Sequence, residues 1–357
     1  MCKQVRNGIK IALDSSKRWV PAQRDPSYRV SWYDFSVASP DPVTREFLDM
    51  LAGGPPAPAL QEMSPADARE MAAGMRAVFP DTVAAPPVEI EHHLIPGGPT
   101  GDLTIQIVRP PGIPGPLPAV MFFHGGGWVL CDYGTHARLV QEIAVGAAAA
   151  VVFVDYSRSP EVRFPVANEQ AYFATRYVAD HGSELRLDPS RIAVAGDSAG
   201  ANMATVVCML ALTRGGPAIS GAVLFYPVTA ANFETPSYIQ FADGHFLTRD
   251  SMRWFWDNYL PDPAARLQPD ASPLLAPIDR LRGHPPTFVM TCEFDVLRDE
   301  GEDYARLLAT AGVPVASARY LGAIHSCLTL GPLANTPAVR TAIAAANHHL
   351  REVLGSS

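Results

Sequence analysis

The sequence predicts an α/β fold with a mostly parallel central sheet flanked by helices. Three observations carry this. From residue 117 onward, short apolar runs alternate with stretches of helical period, the pattern of repeated βαβ units. The run Leu117 to Phe123 is almost wholly apolar, as a strand buried on both faces requires. At 192–203 a short apolar strand passes through Gly196-Asp197-Ser198-Ala199-Gly200 directly into a helix carrying Met203, Val206 and Met209.

Residues 1–40 show no period and end in Ser39-Pro40-Asp41-Pro42, so they are set apart as an N-terminal extension. Val43, Phe47, Leu48 and Leu51 mark an amphipathic helix, broken by Pro55-Pro56-Ala57-Pro58. Ser64-Pro65-Ala66-Asp67 reads as an N-cap with proline at the first helical position, and its helix runs to about Val78. Pro80 and Pro86-Pro87 close this helical region, 41–86. Val88 to Leu94 and Leu103 to Val108 flank the turn-rich 97–101 and predict an antiparallel hairpin. The core is placed at 87–228 and 284–357. Its strands are expected at 117–123, 149–154, 191–195, 219–225, 286–291 and 314–320. Helices are expected at 135–148, 166–181, 199–213, 298–311 and 336–354. Between the two core pieces, the Pro- and Asp-rich 229–283 holds one helix, Leu247 to Tyr259, and an insertion of this length typically carries a lid or binding loop.

Composition narrows the function. With 48% apolar and 18% charged residues, 357 residues can bury a large core in one large domain with an appendage, or in two modest ones. A formal charge of −8 argues against nucleic acid as the main partner, because a phosphate backbone needs a basic face. No apolar run reaches membrane-spanning length, and Met1 to Val20 lacks the apolar stretch of a secretory signal. The five cysteines, Cys2, Cys131, Cys208, Cys292 and Cys327, have no paired spacing. They read as thiols of a cytoplasmic protein, with no metal site, and Cys327 as a small buried hydrophobe.

Ser198 stands at the centre of G-x-S-x-G at a strand-to-helix join, where only small flanking residues allow a turn tight enough to present Oγ. A serine hydroxyl is a poor nucleophile and needs a base, a carboxylate that orients the base, and donors for the oxyanion. Asp295 follows the strand Thr287 to Thr291 and ranks ahead of Glu293; for Asp299 and Glu300, in the next helix's first turn, dipole stabilisation is a sufficient role. His325 lies in the loop after the following strand. His245 and His284 come too early for the Ser–Asp–His order, and His348-His349 read as a solvated pair. Upstream, His124-Gly125-Gly126-Gly127-Trp128 follows a central strand, the place of an HGGG-type oxyanion loop. The amides of Gly125, Gly126 and Ala199 are the expected donors, and His124 is expected to order the loop rather than act as a base.

Taken together, His124-Gly-Gly-Gly, Gly196-Asp-Ser-Ala-Gly, Asp295-Val-Leu-Arg-Asp-Glu-Gly and His325 resemble the hormone-sensitive-lipase-like (bacterial family IV) esterases of the α/β-hydrolase superfamily, in their GDSAG branch. The likeness spans roughly 43–355. Asp155-Tyr156-Ser157-Arg158-Ser159-Pro160-Glu161 resembles the segment that supports the oxyanion loop there, with Ser157-Arg158-Ser159 in place of the usual Arg-Leu-Ala. His325-Ser326-Cys327 departs from the usual His-Gly-Phe. The resemblance implies an α/β-hydrolase fold whose helical cap, built from about 43–85 and 229–283, covers the serine. It offers Trp128, Phe241, Phe246, Met252, Trp254 and Phe255 as substrate-site candidates, which could equally pack cap onto core.

The expectation is a carboxylesterase acting on short- to medium-chain acyl esters through an acyl-enzyme, with no cofactor. An amidase or aryl-formamidase is the alternative, since a Trp after the glycines suits that group. A non-catalytic small-ligand receptor on this fold is disfavoured by the presence of His325. The resemblance also implies a homodimer through the last strand and helix.

Overall fold

The apolar runs of the sequence become the inner strands of an eight-stranded sheet. A computed structural model describes residues 39–54 and 58–356; the expected N-terminal extension and the 55–57 part of the proline break lie outside the described residues, apart from Ser39 and Pro40. In chain order the strands are β1 (Glu89–Gly98), β2 (Gly101–Arg109), β3 (Leu117–Phe123), β4 (Ala150–Val154), β5 (Leu187–Asp197), β6 (Gly221–Phe225), β7 (Thr287–Phe294) and β8 (Val315–Ile324). They lie side by side as β1-β2-β4-β3-β5-β6-β7-β8. The hairpin β1–β2 and the β2–β4 pair are antiparallel, and the others are parallel. Every residue of β3, β4 and β6 is buried, as strands covered on both faces must be.

The helices are α1 (Pro42–Ala52), α2 (Pro65–Val78), α3 (Tyr133–Ala147), α4 (Val166–His181), α5 (Ala199–Arg214), α6 (Pro236–Gln240), α7 (Arg249–Tyr259), α8 (Ile278–Leu281), α9 (Arg298–Thr310) and α10 (Pro337–Leu354). Ser64 caps α2 by accepting the Asp67 amide at 3.2 Å. α5 is apolar around most of its circumference and is buried from Ala199 to Ala211, the pattern of a central helix. The short α6 and α8 had no counterpart in the sequence reading; each is too brief to show a period.

Register positions the chemistry. Phe123 pairs with Gly196, and Asp197 with Phe225, so the carboxyl ends of β3, β5 and β6 stand level. β7 and β8 run further than expected, to Phe294 and Ile324. Asp295 and His325 are therefore the residues immediately beyond their strands, where the backbone is still held by the sheet.

The stretch 229–237 is tied to the start of α9. Glu300 Oε1 accepts the amides of Thr229 at 2.6 Å and Ala230 at 3.2 Å, and Asp299 Oδ2 accepts that of Ser237 at 2.8 Å. These two acids thus do more than complement a helix dipole. Burial pushes the Glu300 carboxyl well above its ordinary range, although the two amides favour its charge. The folded chain therefore holds a proton that the unfolded chain releases near pH 4.3, about the free value, and stability falls as pH rises from there towards the folded-state value. Glu300→Gln keeps an oxygen for the amides and removes the titration. Urea unfolding from pH 4.5 to 8 should show the variant gaining on the wild type as pH rises; a difference that does not change with pH would contradict this.

Candidate active site

The turn between β5 and α5 sets the site. Ser198 has φ 55° and ψ −120°, a left-handed conformation costly for any side chain with a Cβ. It is held there because its amide donates to Phe225 O at 2.9 Å and its carbonyl accepts from Val228 at 3.2 Å. Gly200 lets α5 begin against β3: a Cβ there would lie 1.9 Å from Phe123 O and 2.6 Å from His124 O. Gly196 is equally confined, with a would-be Cβ 2.4 Å from the Gly200 carbonyl.

Three of the expected residues meet. Ser198 Oγ lies 3.0 Å from His325 Nε2, and His325 Nδ1 lies 2.8 Å from Asp295 Oδ2. Asp295 Oδ1 accepts the Leu297 amide at 2.9 Å, which fixes the carboxylate plane. All three are almost wholly buried. Because a carboxylate only accepts, the Nδ1 proton is directed to Asp295 and the Nε2 lone pair to the serine. Tyr226, which the sequence did not single out, packs its ring 4.8 Å from that of His325. Glu293 serves elsewhere, accepting the Gly322 amide at 2.8 Å. Of the terminal histidines only His348 is exposed; His349 is half-buried, 3.3 Å from Pro286 O. Cys327 is buried, its Sγ 3.8 Å from that of Cys292.

The glycine loop differs from expectation in one respect. Gly125 donates its amide to Asp197 Oδ1 at 2.8 Å, so that N–H is already committed. Among the described residues, the amides of Gly126, Gly127 and Ala199 have no protein acceptor. Ala199 is the first residue of α5, where an unpaired amide is intrinsic to a helix start. Gly127 is pressed against Phe255, whose ring a Cβ would approach to 2.1 Å. His124 orders the loop, its Nδ1 2.7 Å from Gly125 O and its ring stacked 4.2 Å from that of Tyr156. Burial lowers its pKa to about 3, so it is neutral. The segment after β4 supports the same loop: Tyr156 Oη donates to His124 O at 2.8 Å, Arg158 to Cys131 O at 2.7 Å and the Ser159 amide to Trp128 O at 2.8 Å.

A cavity of about 240 Å³ opens onto Ser198 and His325. Phe246, Met252 and Phe255 line it as expected. Trp128, Phe241 and Trp254 do not. Trp128 is buried, stacked at 4.0 Å on Tyr259 and edge-on to Trp256. Phe241 packs on Phe294 at 5.5 Å, beneath the Arg298 guanidinium. Trp254 precedes Phe255 on α7, a step of about 100° around a helix, and sits edge-on to that ring instead. Met71, Met75 and Phe79, from α2 and its C-cap, complete the apolar wall. Their helical spacing was legible, but not that it faces a cavity. Thr135, His136 and Asp197 form a polar corner that the sequence reading missed. Cys131 also lines the cavity, and burial pushes its thiol up to about 12, which keeps it protonated. Among the described residues no cluster of His, Cys, Asp and Glu could hold a metal ion, and no helix is long and apolar enough to cross a membrane.

Residues 120–329 match the family described as alpha/beta hydrolase fold. Carboxylesterase NlhH of Mycobacterium tuberculosis is 38% identical over 284 residues, covering 78% of this chain and 86% of NlhH. The chain belongs to the hormone-sensitive-lipase-like esterases of the α/β-hydrolase fold. Among solved structures of the fold, a thermostable esterase of Pseudomonas putida is 48% identical with a TM-score of 0.86, covering 88% of this chain and 98% of its own. A Rhizomucor miehei esterase is 40% identical with a TM-score of 0.83, covering 89% and 97%. In this family member Gly200→Ala should cost at least about 2 kcal/mol, because backbone on both sides must move. Denaturant unfolding checks this; unchanged stability would mean that α5 does not start against β3.

Proposed function

We propose that this carboxylesterase works through an acyl-enzyme formed on Ser198, with His325 as base and Asp295 as its orienting acid. The observation that carries the reading is the continuous chain Ser198 Oγ, His325, Asp295 beside three amides with no protein acceptor. Ser198 Oγ attacks the ester carbonyl carbon while its proton passes to His325 Nε2. Asp295 stabilises the imidazolium, and the amides of Gly126, Gly127 and Ala199 take up the charge forming on oxygen. Collapse breaks the ester C–O bond, and the departing alcohol takes the proton from His325. Water then repeats the sequence on the acyl-enzyme and releases the acid.

The substrates we propose are esters of short to medium acyl chains. The cavity is smaller than the roughly 300–1,000 Å³ of pockets for drug-sized ligands, and α2 and α7 close it with methionine and phenylalanine side chains. These helices, with the rest of 41–86 and 229–283, serve as the cap. The amide-cleaving alternative rested on Trp128, which is core and does not reach the cavity. Among the described residues β8 is an edge strand, with Leu321 exposed, which supports a homodimer through β8 and α10. The four described cysteines are free, which suits a cytoplasmic setting.

Hydrolysis of p-nitrophenyl acetate, butyrate, octanoate and palmitate tests this directly. Rates should peak at the short chains, vanish in Ser198→Ala, and drop about 10⁴-fold in Asp295→Asn, which loses the orienting charge. Equal rates in Ser198→Ala and wild type would overturn the mechanism; a maximum at palmitate would overturn the pocket assignment.

A further inference from the structure

The polar corner of the cavity holds a buried ionisable pair that the acyl-enzyme scheme does not use. Asp197, next to the nucleophile, is 2% exposed and His136 is 2% exposed. His136 Nε2 lies 3.0 Å from Asp197 Oδ1, the same oxygen that accepts the Gly125 amide at 2.8 Å. The other ring nitrogen faces two oxygens. Thr135 Oγ1 lies 2.8 Å from Asp132 O and 2.8 Å from His136 Nδ1. Asp132 O, which can only accept, lies 3.3 Å from Nδ1. Nε2 of His136 thus stands at ion-pair distance from the Asp197 carboxylate, and Nδ1 faces Thr135 Oγ1 and Asp132 O.

A counter-charge beside Asp197 has a use. A lone carboxylate one residue from Ser198, in a water-poor cavity, would oppose the negative charge that forms on the substrate oxygen. Yet Asp197 cannot simply be absent, since it holds Gly125 and so sets the direction of the next two amides. Burial works against its charge, but His136 and the Gly125 amide outweigh burial and hold its carboxyl below the usual range. His124, whose ring is 5.6 Å from that of His136, is neutral and supplies no competing cation.

We propose that His136 is a positioning residue of the oxyanion site: it neutralises Asp197, and Asp197 in turn clamps Gly125 so that the Gly126 and Gly127 amides face Ser198. The proposal rests on the acyl-enzyme reading above. Charge and shape separate here, because Asp197→Asn would keep an oxygen for Gly125 while removing the charge that needs His136.

The test uses His136→Leu, and His136→Leu combined with Asp197→Asn. The readouts are kcat and KM for p-nitrophenyl butyrate and inhibition by an alkyl trifluoromethyl ketone, which adds to a reactive serine as an oxyanion. His136→Leu should lower kcat about 10²-fold, the size of a lost oxyanion donor, with little change in KM and a matching loss of ketone affinity. The second substitution should restore at least about tenfold of that rate, which loss of mere packing would not allow. If His136→Leu does not fold, His136→Gln, a neutral donor of similar reach, carries the same comparison. Unchanged kcat in the single variant, or a double variant no faster than the single, would overturn the proposal. A wild type that the ketone fails to inhibit would overturn the acyl-enzyme reading with it.

Discussion

The constraint on which the site depends is the approach of α5 to the end of β3 at Gly200. With no space for one methyl group between the helix and the carbonyls of Phe123 and His124, the first turn of α5 and the glycine loop share one small volume. At the head of that helix the bonds of Ser198 to Phe225 and Val228 hold its left-handed turn. A residue in such a conformation costs about 1–3 kcal/mol. Full burial of one large apolar side chain returns about 1.5–3 kcal/mol, and α5 buries Met203, Val206, Val207 and Met209 completely. The packing of the helix therefore exceeds the strain at its start, and the strain persists.

The surroundings hold this geometry by tying separate elements to the same loops. Arg69 of α2 donates to Val129 O at 2.8 Å and Ser159 O at 2.7 Å, joining a wall of the cavity to the oxyanion loop and its support. Arg138 of α3 donates to Leu328 O at 2.6 Å, in the loop that carries His325. Its ion-pair partners Asp81 and Glu142 leave that buried guanidinium compensated. The half-exposed pair Arg69–Glu161 adds little by itself; the bonds from Arg69 to backbone carbonyls carry the connection.

Much of this was legible in the sequence because each reactive residue follows an apolar run whose end can be read. Ser198, Asp295 and His325 sit just past β5, β7 and β8, and an α/β sheet gathers such positions along one edge. What was not legible depends on contacts between distant residues. Nothing local to His124-Gly-Gly-Gly tells which amides are free; Asp197, 72 residues away, decides it by taking the amide of Gly125. The aromatic content of 241–255 could not separate Phe246 and Phe255, which face the cavity, from Phe241 and Trp254, which do not. Likewise Met71 and Met75 have the period of any core-facing helix, and the space they line exists only once α2 stands over the sheet's edge. Glu300 reads as an ordinary first-turn acid until Thr229 and Ala230 are brought to it.

The proposed covalent step falls on one serine, Ser198, which this turn presents to His325. Reaction with diethyl p-nitrophenyl phosphate, followed by intact mass and peptide mapping, tests it most directly. One diethylphosphoryl group per chain is expected, located on Ser198, with activity lost in proportion to its incorporation. Full activity in unlabelled chains, or labelling at another residue while hydrolysis continues, would contradict it.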